Sequence, residues 1–376
     1  YAAGDVDVLP RIADDQLREM AKENLVPVFG LESSIIGMCS KMSYLGFNVD
    51  ITKLRALKQK IEKELDGLSK VFCEYLDSIL PDDEKLPRGV DGTLQIGKNA
   101  RKEFNPCSGT QVLKKFAACQ VLTPTDFRTG KPTLNQVELN EFASDDEAIL
   151  LYRQHKECDT RLRHCEKLIN NINPITSRIH SGYKTYGANS GRFTCSGAKK
   201  VAKTKTKFHF AINIQQVPRD KDFRELFISS PGYSLIVCDF SQIELRLAAE
   251  LVPVPQMKQA FLKGQDLHTT TAALINGVDV EELQKLYNAG DLEAKKKRQA
   301  GKTLNFALLY GMGYKKYKKY AAADKRYLTL SESKLEHAAF HRAYPAIKEW
   351  HRDCAAQTRD VRAFSKRRVQ SYCLYT

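Results

Sequence analysis

No run of apolar residues in the 376-residue chain is long enough to cross a bilayer, and no stretch has the pattern of a secretory leader. Both absences weaken a membrane role and point to a cytoplasmic location. The 10 cysteines include no Cys-x-x-Cys pair and have no histidine cluster beside them. That speaks against a zinc site or a thioredoxin-type centre. Many cysteines sit among apolar neighbours, as Cys238 does, and read as core thiols of a reducing compartment. A Gly-x-x-x-x-Gly-Lys-Ser/Thr phosphate loop is missing, as are internal repeats and low-complexity tracts. Acidic residues are outnumbered, 45 Asp+Glu against 59 Lys+Arg, for a net charge of +14. A surplus that large suits a polyanionic partner, nucleic acid above all, although a basic soluble protein without such a partner has the same balance.

Hydrophobic residues make up 42% and charged residues 28%, enough to bury a core across two or three domains. Helix is expected from Asp15 to about Asn24 and from Met38 to Leu45, then a turn and short extended piece over Gly46–Asp50. Leu54, Leu57, Ile61, Leu65, Leu68, Phe72, Tyr75 and Ile79 recur at three and four spacing, which predicts one long helix ended by Pro81. Residues 81–103 read as a flexible or inserted loop. Ser144-Asp-Asp-Glu147 has the pattern of a capping box opening a second long helix to about Ile169. Its polar face holds Arg153, Lys156, Arg161 and Arg163, which suit either a solvated face or a duplex. From 175 to 230 the residues predict short strands and loops. Between Lys184 and Arg219 eight basic residues meet no acidic one, a one-sidedness that suits phosphate contacts. Tyr233–Cys238 reads as a buried strand, and 255–360 as mostly helical.

Two segments carry candidate chemistry. In the first, the expected strand ends on Asp239, followed by Phe240-Ser-Gln242-Ile-Glu244-Leu-Arg246. A carboxylate at a strand end can hold a hard cation through oxygen; it also serves, more commonly, as a turn or cap residue. Ser241 and Glu244 fit a capping box, which by itself accounts for Glu244. In the second segment, Arg298, Lys302, Phe306 and Tyr310 lie four apart. On a helix they form one stripe about 120° wide, two cations followed by two rings. Cations bind a triphosphate and rings stack on a base; an ordinary amphipathic helix with an aromatic core end has the same spacing.

Together the two segments resemble motif A (Asp-Tyr-Ser-Gln-Ile-Glu-Leu-Arg) and motif B (Arg-x-x-x-Lys-x-x-x-Phe-Gly-x-x-Tyr-Gly) of family A, DNA polymerase I-type, DNA polymerases. Further blocks agree: Ser190-Gly-Arg192-Phe-Thr, Asn213-Ile-Gln215-Gln-Val-Pro218, Asp266-Leu-His268-Thr269, Met42–Asp50, and Phe104-Asn105 with Ser108 and Gln111. Tyr1-x-x-x-Asp5 resembles the last motif of a proofreading exonuclease. The resemblance implies an α+β, mostly α, right-hand architecture. It divides the chain into the end of an exonuclease domain (1–28), the lead-in to the palm (29–50), the thumb (51–170), the palm (171–258) and the fingers (259–376). It implies template-directed addition of deoxynucleotides to a primer 3′ end, with two Mg²⁺ ions, primer–template DNA and deoxynucleoside triphosphates as partners, and no membrane.

By its match to motif A, Asp239 is expected to ligand both metals, helped by the Phe240 carbonyl. Glu244 is expected at the sugar gate and Gln242 beside the nucleotide. Arg298, Lys302 and His268 are expected on the triphosphate, with Lys302 protonating the leaving group. Phe306 is expected against the incoming nucleotide and Tyr310 near the templating position. Arg192, Asn213 and Gln215 are expected on the duplex, and Asp5 in a former exonuclease metal site. Phe240 and Ala307 depart from the usual Tyr and Gly, and Ala307 is expected to crowd the nucleotide helix. Twenty residues separate Arg192 from Asn213; 197–210 read as a basic insertion. The Gln-Gln-Val-Pro-Arg-Asp-Lys run is more like phage and plasmid polymerases than bacterial repair enzymes, which would make the location a host cytoplasm. The family's His-Asp-Glu motif C, with the second metal-binding aspartate, does not occur; His351-Arg-Asp353 is not it. The chain therefore reads as a fragment, inactive unless a further C-terminal segment or a separate chain supplies that motif. A single-subunit RNA polymerase and a decayed, DNA-binding polymerase are the alternatives. Glu244 argues against the first, and primer extension that requires Asp239 excludes the second.

Overall fold

The computed structural model describes every residue except 1, 98–101, 127–128, 143, 186, 189–191, 197–211, 253, 323, 325 and 361–376. Its elements run α1 (Ala2–Asp7), α2 (Leu9–Lys22), α3 (Val26–Leu45), β1 (Phe47–Val49), α4 (Ile51–Ile79), α5 (Gly109–Ala118), α6 (Gln136–Glu141) and α7 (Glu147–Asn170). There follow β2 (Arg178–Ile179), β3 (Gly182–Lys184), β4 (Thr194–Ser196), α8 (Lys221–Arg224) and β5 (Phe227–Ile228). The rest is helical: α9 (Ile243–Leu251), α10 (Pro255–Leu262), α11 (Leu267–Asn276), α12 (Val280–Asn288), α13 (Leu292–Leu309), α14 (Tyr314–Ala322), α15 (Leu330–Ala343) and α16 (Pro345–Asp360). The chain is thus mostly α with small antiparallel sheets, and among the described residues no helix is long and apolar enough to cross a membrane.

The chain forms two compact units. One takes residues 1–64 and 158–236. It holds an antiparallel sheet of order β2-β1-β5, with Phe47 opposite Ile179 and Asn48 opposite Ile228, and a β3–β4 pair with Tyr183 opposite Cys195. Gly46 makes the turn into β1 at φ 60°, and a Cβ there would lie 2.5 Å from the Ile179 carbonyl oxygen, so glycine is required on two counts. Arg178 locks the same turn, donating to the carbonyls of Leu45 (2.6 Å) and Gly46 (3.1 Å) and to Ser230 Oγ (2.8 Å).

The other unit takes 65–157 and 237–364. One of its cores joins Phe72, Leu76, Val112, Phe116, Ile149 and Tyr152. The apolar stripe of α4 supplies Phe72, as the spacing predicts; Leu76 lies outside that spacing, and the expected Ile79 is 38% exposed. A second core joins Leu245 and Ala248 of α9 and Met257 of α10 to Leu304, Ala307 and Leu308 of α13, with Tyr317, Phe340 and Tyr344.

Three expectations need correction. Residues 81–97 are an ordered loop, not a flexible one: Leu86 joins the first core, and Asp77 accepts from Leu86 N (2.7 Å) and Arg88 (2.6 Å). The cap of α7 is Asp146, which accepts from Ala148 N at 2.9 Å, so no box forms from Ser144. The expected buried strand at 233–238 has no regular structure and faces solvent, Val237 being 89% exposed. A strand needs a neighbour for its backbone groups, and no described residue pairs with this one. Ala307 is buried in the second core.

Candidate active site

The site is built around α13. Asp291 starts the helix by accepting from Ala294 N at 2.7 Å, an ordinary N-cap. Arg298 and Phe306 are half-buried, Lys302 is exposed, and the apolar positions between them enter the core. The predicted stripe therefore faces outward. Tyr310 ends the helix as its C-cap and is 64% exposed.

Asp266 caps α11, accepting from Thr269 N (2.9 Å) and Thr269 Oγ1 (2.8 Å). The same carboxylate receives Arg298 through two parallel bonds, Nε and Nη2 each at 2.9 Å. The guanidinium also lies 4.8 Å from the Tyr287 ring centre. Burial alone would raise the Asp266 pKa, but the Arg298 and Thr269 bonds outweigh it and hold the carboxyl below its usual range. Arg298 is thus fixed by a fork and a ring, with Nη1 outside the fork.

α11 and α13 cross closely because Gly301 has no side chain. A Cβ there would lie 2.2 Å from the His268 carbonyl oxygen and 3.0 Å from Ala272 N. This contact sets His268 beside the stripe, its ring 5.7 Å from that of Phe306. His268 is 4% exposed. Burial, with Arg298 and Lys302 nearby, lowers its pKa to about 4 despite the opposing pull of Asp266. The ring is neutral at neutral pH.

The motif A residues sit just before α9. Asp239, Phe240 and Ser241 are exposed. Gln242 is the N-cap of α9, left-handed at φ 53° and without a side-chain cap bond. The expected Ser241–Glu244 box is therefore absent: with the helix starting at Ile243, Glu244 is its second residue, not its third. Arg246 staples this turn, donating to the Ser241 carbonyl at 2.9 Å while lying 4.5 Å from the Phe261 ring centre. Because α9 and α13 share one core, the Asp239 turn and the stripe belong to one packed body. Among the described residues no three His, Cys, Asp or Glu side chains converge as a metal site. One carboxylate and one carbonyl do not satisfy an octahedral magnesium ion, so these residues alone do not fit the expected pair of ions.

In the other unit, Asn213 caps a short turn, its Oδ1 accepting from Gln215 N at 3.0 Å. The Gln215 amide accepts from Cys195 N (3.0 Å) and donates to the Phe193 carbonyl (3.1 Å). Gln215 thereby fixes the strand that follows the exposed Arg192. Tyr1 and the insertion 197–210 lie outside the described residues, and Asp5 falls within α1.

Sequence reasoning gave no role to Asp266, Tyr287, Gly301 or Asn305. Asp266 was within a recognised block, and its place before α11 is a cap signal. The others depend on which helices cross.

A solved structure titled "POL domain of Pol1 from M. smegmatis complex with DNA primer-template and dNTP" aligns over 94% of this chain and 54% of its own, with a TM-score of 0.69 and 18% identity. The chain therefore has the right-hand polymerase fold. The family model "DNA polymerase family A" matches residues 91–371, and the chain belongs to that family. DNA polymerase I of Aquifex aeolicus is 27% identical over 372 residues, covering 93% of this chain and 55% of the relative. DNA polymerase I of Pseudomonas aeruginosa is 28% identical over 302 residues, covering 72% and 30%. The chain spans about half or less of the length of these relatives.

Proposed function

We propose that this chain works in template-directed DNA synthesis, extending a primer 3′ end with deoxynucleoside triphosphates. The observation that carries the reading is the outward stripe of α13, with Arg298 pre-set by Asp266. Arg298, Lys302 and His268 bind the triphosphate, Lys302 supplying a proton to the departing pyrophosphate. Phe306 packs on the nucleotide and Tyr310 lies beside the templating base. Gln242 and Glu244 face the sugar side, Glu244 obstructing a 2′-hydroxyl. Arg192 and Asn213 contact the primer–template duplex, with Gln215 holding the Arg192 strand. Residues 51–170, 171–258 and 259–376 serve as thumb, palm and fingers.

The reaction in this family's reading depends on two magnesium ions. Asp239 and the Phe240 carbonyl would supply part of their ligands. What the chain's own residues do is bind and orient the triphosphate and the duplex.

Primer extension by the complete enzyme carrying these residues tests the proposal. Asp239→Ala abolishes extension, and Lys302→Ala slows it by about 10²-fold or more. Unchanged extension by the Asp239 variant refutes the assignment.

A further inference from the structure

A buried chain of four polar side chains runs behind the stripe. Tyr344 Oη lies 2.8 Å from Thr271 Oγ1, which lies 2.9 Å from Asn305 Oδ1; Asn305 Nδ2 lies 3.1 Å from His268 Nδ1. Tyr344, Thr271 and Asn305 are all 0% exposed. The nucleotide reading uses only the last member, His268.

Donor and acceptor accounting gives the chain a direction. The Tyr344 hydroxyl is fully buried, and burial holds its pKa up at about 12, so it keeps its proton. Among the described residues its partner is Thr271 Oγ1, so Tyr344 donates and Thr271 accepts. Thr271 has one hydroxyl hydrogen, which passes to Asn305. Asn305 therefore presents its oxygen to Thr271 and its amide hydrogens to His268. The opposite amide orientation would turn Thr271 toward Tyr344 as donor and leave the phenolic hydrogen buried without an acceptor, at a cost of about 1–3 kcal/mol. His268 Nδ1 must then accept.

We infer that Tyr344, Thr271 and Asn305 are positioning residues that fix the tautomer of His268, placing its proton on Nε2 as a hydrogen-bond donor for an anionic phosphate. The inference rests on the nucleotide reading for the identity of the acceptor, and on the hydrogen-bond chain alone for the tautomer. A neutral imidazole in the other tautomer would offer phosphate a lone pair, which repels it. The buried phenol is thus linked to nucleotide binding through three side chains.

The test is nitrogen-15 NMR of the histidine side chains in the full 376-residue chain at neutral pH, with inorganic triphosphate as the added probe. His268, assigned by its loss in His268→Gln, is expected to show a bare Nδ1 and a protonated Nε2. Triphosphate is expected to shift the Nε2 signal. Thr271→Val is expected to bring in the second tautomer, and Thr271→Ser to restore the first. Tyr344→Phe, which keeps the ring in the core, provides the same loss of direction by a different change. A protonated Nδ1 in the unsubstituted protein, or a single unchanged tautomer in both the Thr271→Val and Tyr344→Phe variants, overturns the inference. The expected tautomer with no response to triphosphate overturns the phosphate assignment and the nucleotide reading, and leaves the tautomer standing.

Discussion

Replacing Asp266 separates its two tasks. Asparagine caps helices about as well as aspartate, so Asp266→Asn keeps the Thr269 bonds that start α11. It loses the charged fork to Arg298, whose two bonds are both 2.9 Å. The side chains are only 18% and 23% exposed, so solvent screening is partial. Breaking a fully buried pair costs about 3–5 kcal/mol; discounted for that exposure, about 2 kcal/mol is expected. Asp266→Ala loses the cap as well, adding about 1 kcal/mol. Urea unfolding at neutral pH, read as a shift in midpoint at constant slope, measures both. The sign of the pH dependence follows from the lowered carboxyl pKa. The contribution is present above the ordinary aspartate range and is lost as pH falls through the lower native value. If Asp266→Asn unfolds at the parent midpoint, the fork holds nothing. If the asparagine and alanine variants coincide, the cap holds nothing.

Gly301→Ala would gain about 1 kcal/mol of helix propensity but force its methyl to 2.2 Å from the His268 carbonyl oxygen. Backbone cannot yield cheaply, so a net loss of about 2 kcal/mol is expected from the same urea experiment, and a gain would contradict the close helix crossing. The pKa values of His268 and His341 are both lowered to about 4, desolvation being the largest cause for each. The unfolded chain takes up those protons first, so stability falls as pH drops from about 6.5 toward 4. For buried His268 the loss is at most about 3 kcal/mol, and His268→Gln should reduce the fall of the urea midpoint across that range, leaving the part due to His341. Lys302→Ala removes an exposed cation and should leave the urea midpoint within about 0.5 kcal/mol of the parent value; a larger fall would make Lys302 a structural residue.

The long helices were legible because a three-and-four apolar spacing is a local property. α4 and its core contact through Phe72 follow from it directly, whereas the buried Leu76 lies one residue past the expected Tyr75. The α13 stripe was legible for the same reason. Burial of 233–238 was not, since a continuous apolar run says that a segment would be buried if it had neighbours, not that it has them. Whether Ser241 or Gln242 caps α9 turned on the left-handed backbone at Gln242, which the side-chain pattern does not encode. The Asp266 fork and the Tyr344–Thr271–Asn305–His268 chain join residues 32 to 73 positions apart in sequence. They exist only once α11, α13 and α15 pack, and Gly301, which permits that packing, looks like a weak helix position when read alone.

The most direct test of the α13 site is the affinity of the chain for a deoxynucleoside triphosphate by calorimetry. Arg298→Ala and Lys302→Ala should each weaken binding about tenfold or more, the loss of roughly one charge-assisted bond. Lys316→Ala, an exposed lysine on α14, should leave it unchanged. Equal affinity in the parent and both α13 variants, or a loss as large at Lys316, would contradict a triphosphate site on this helix.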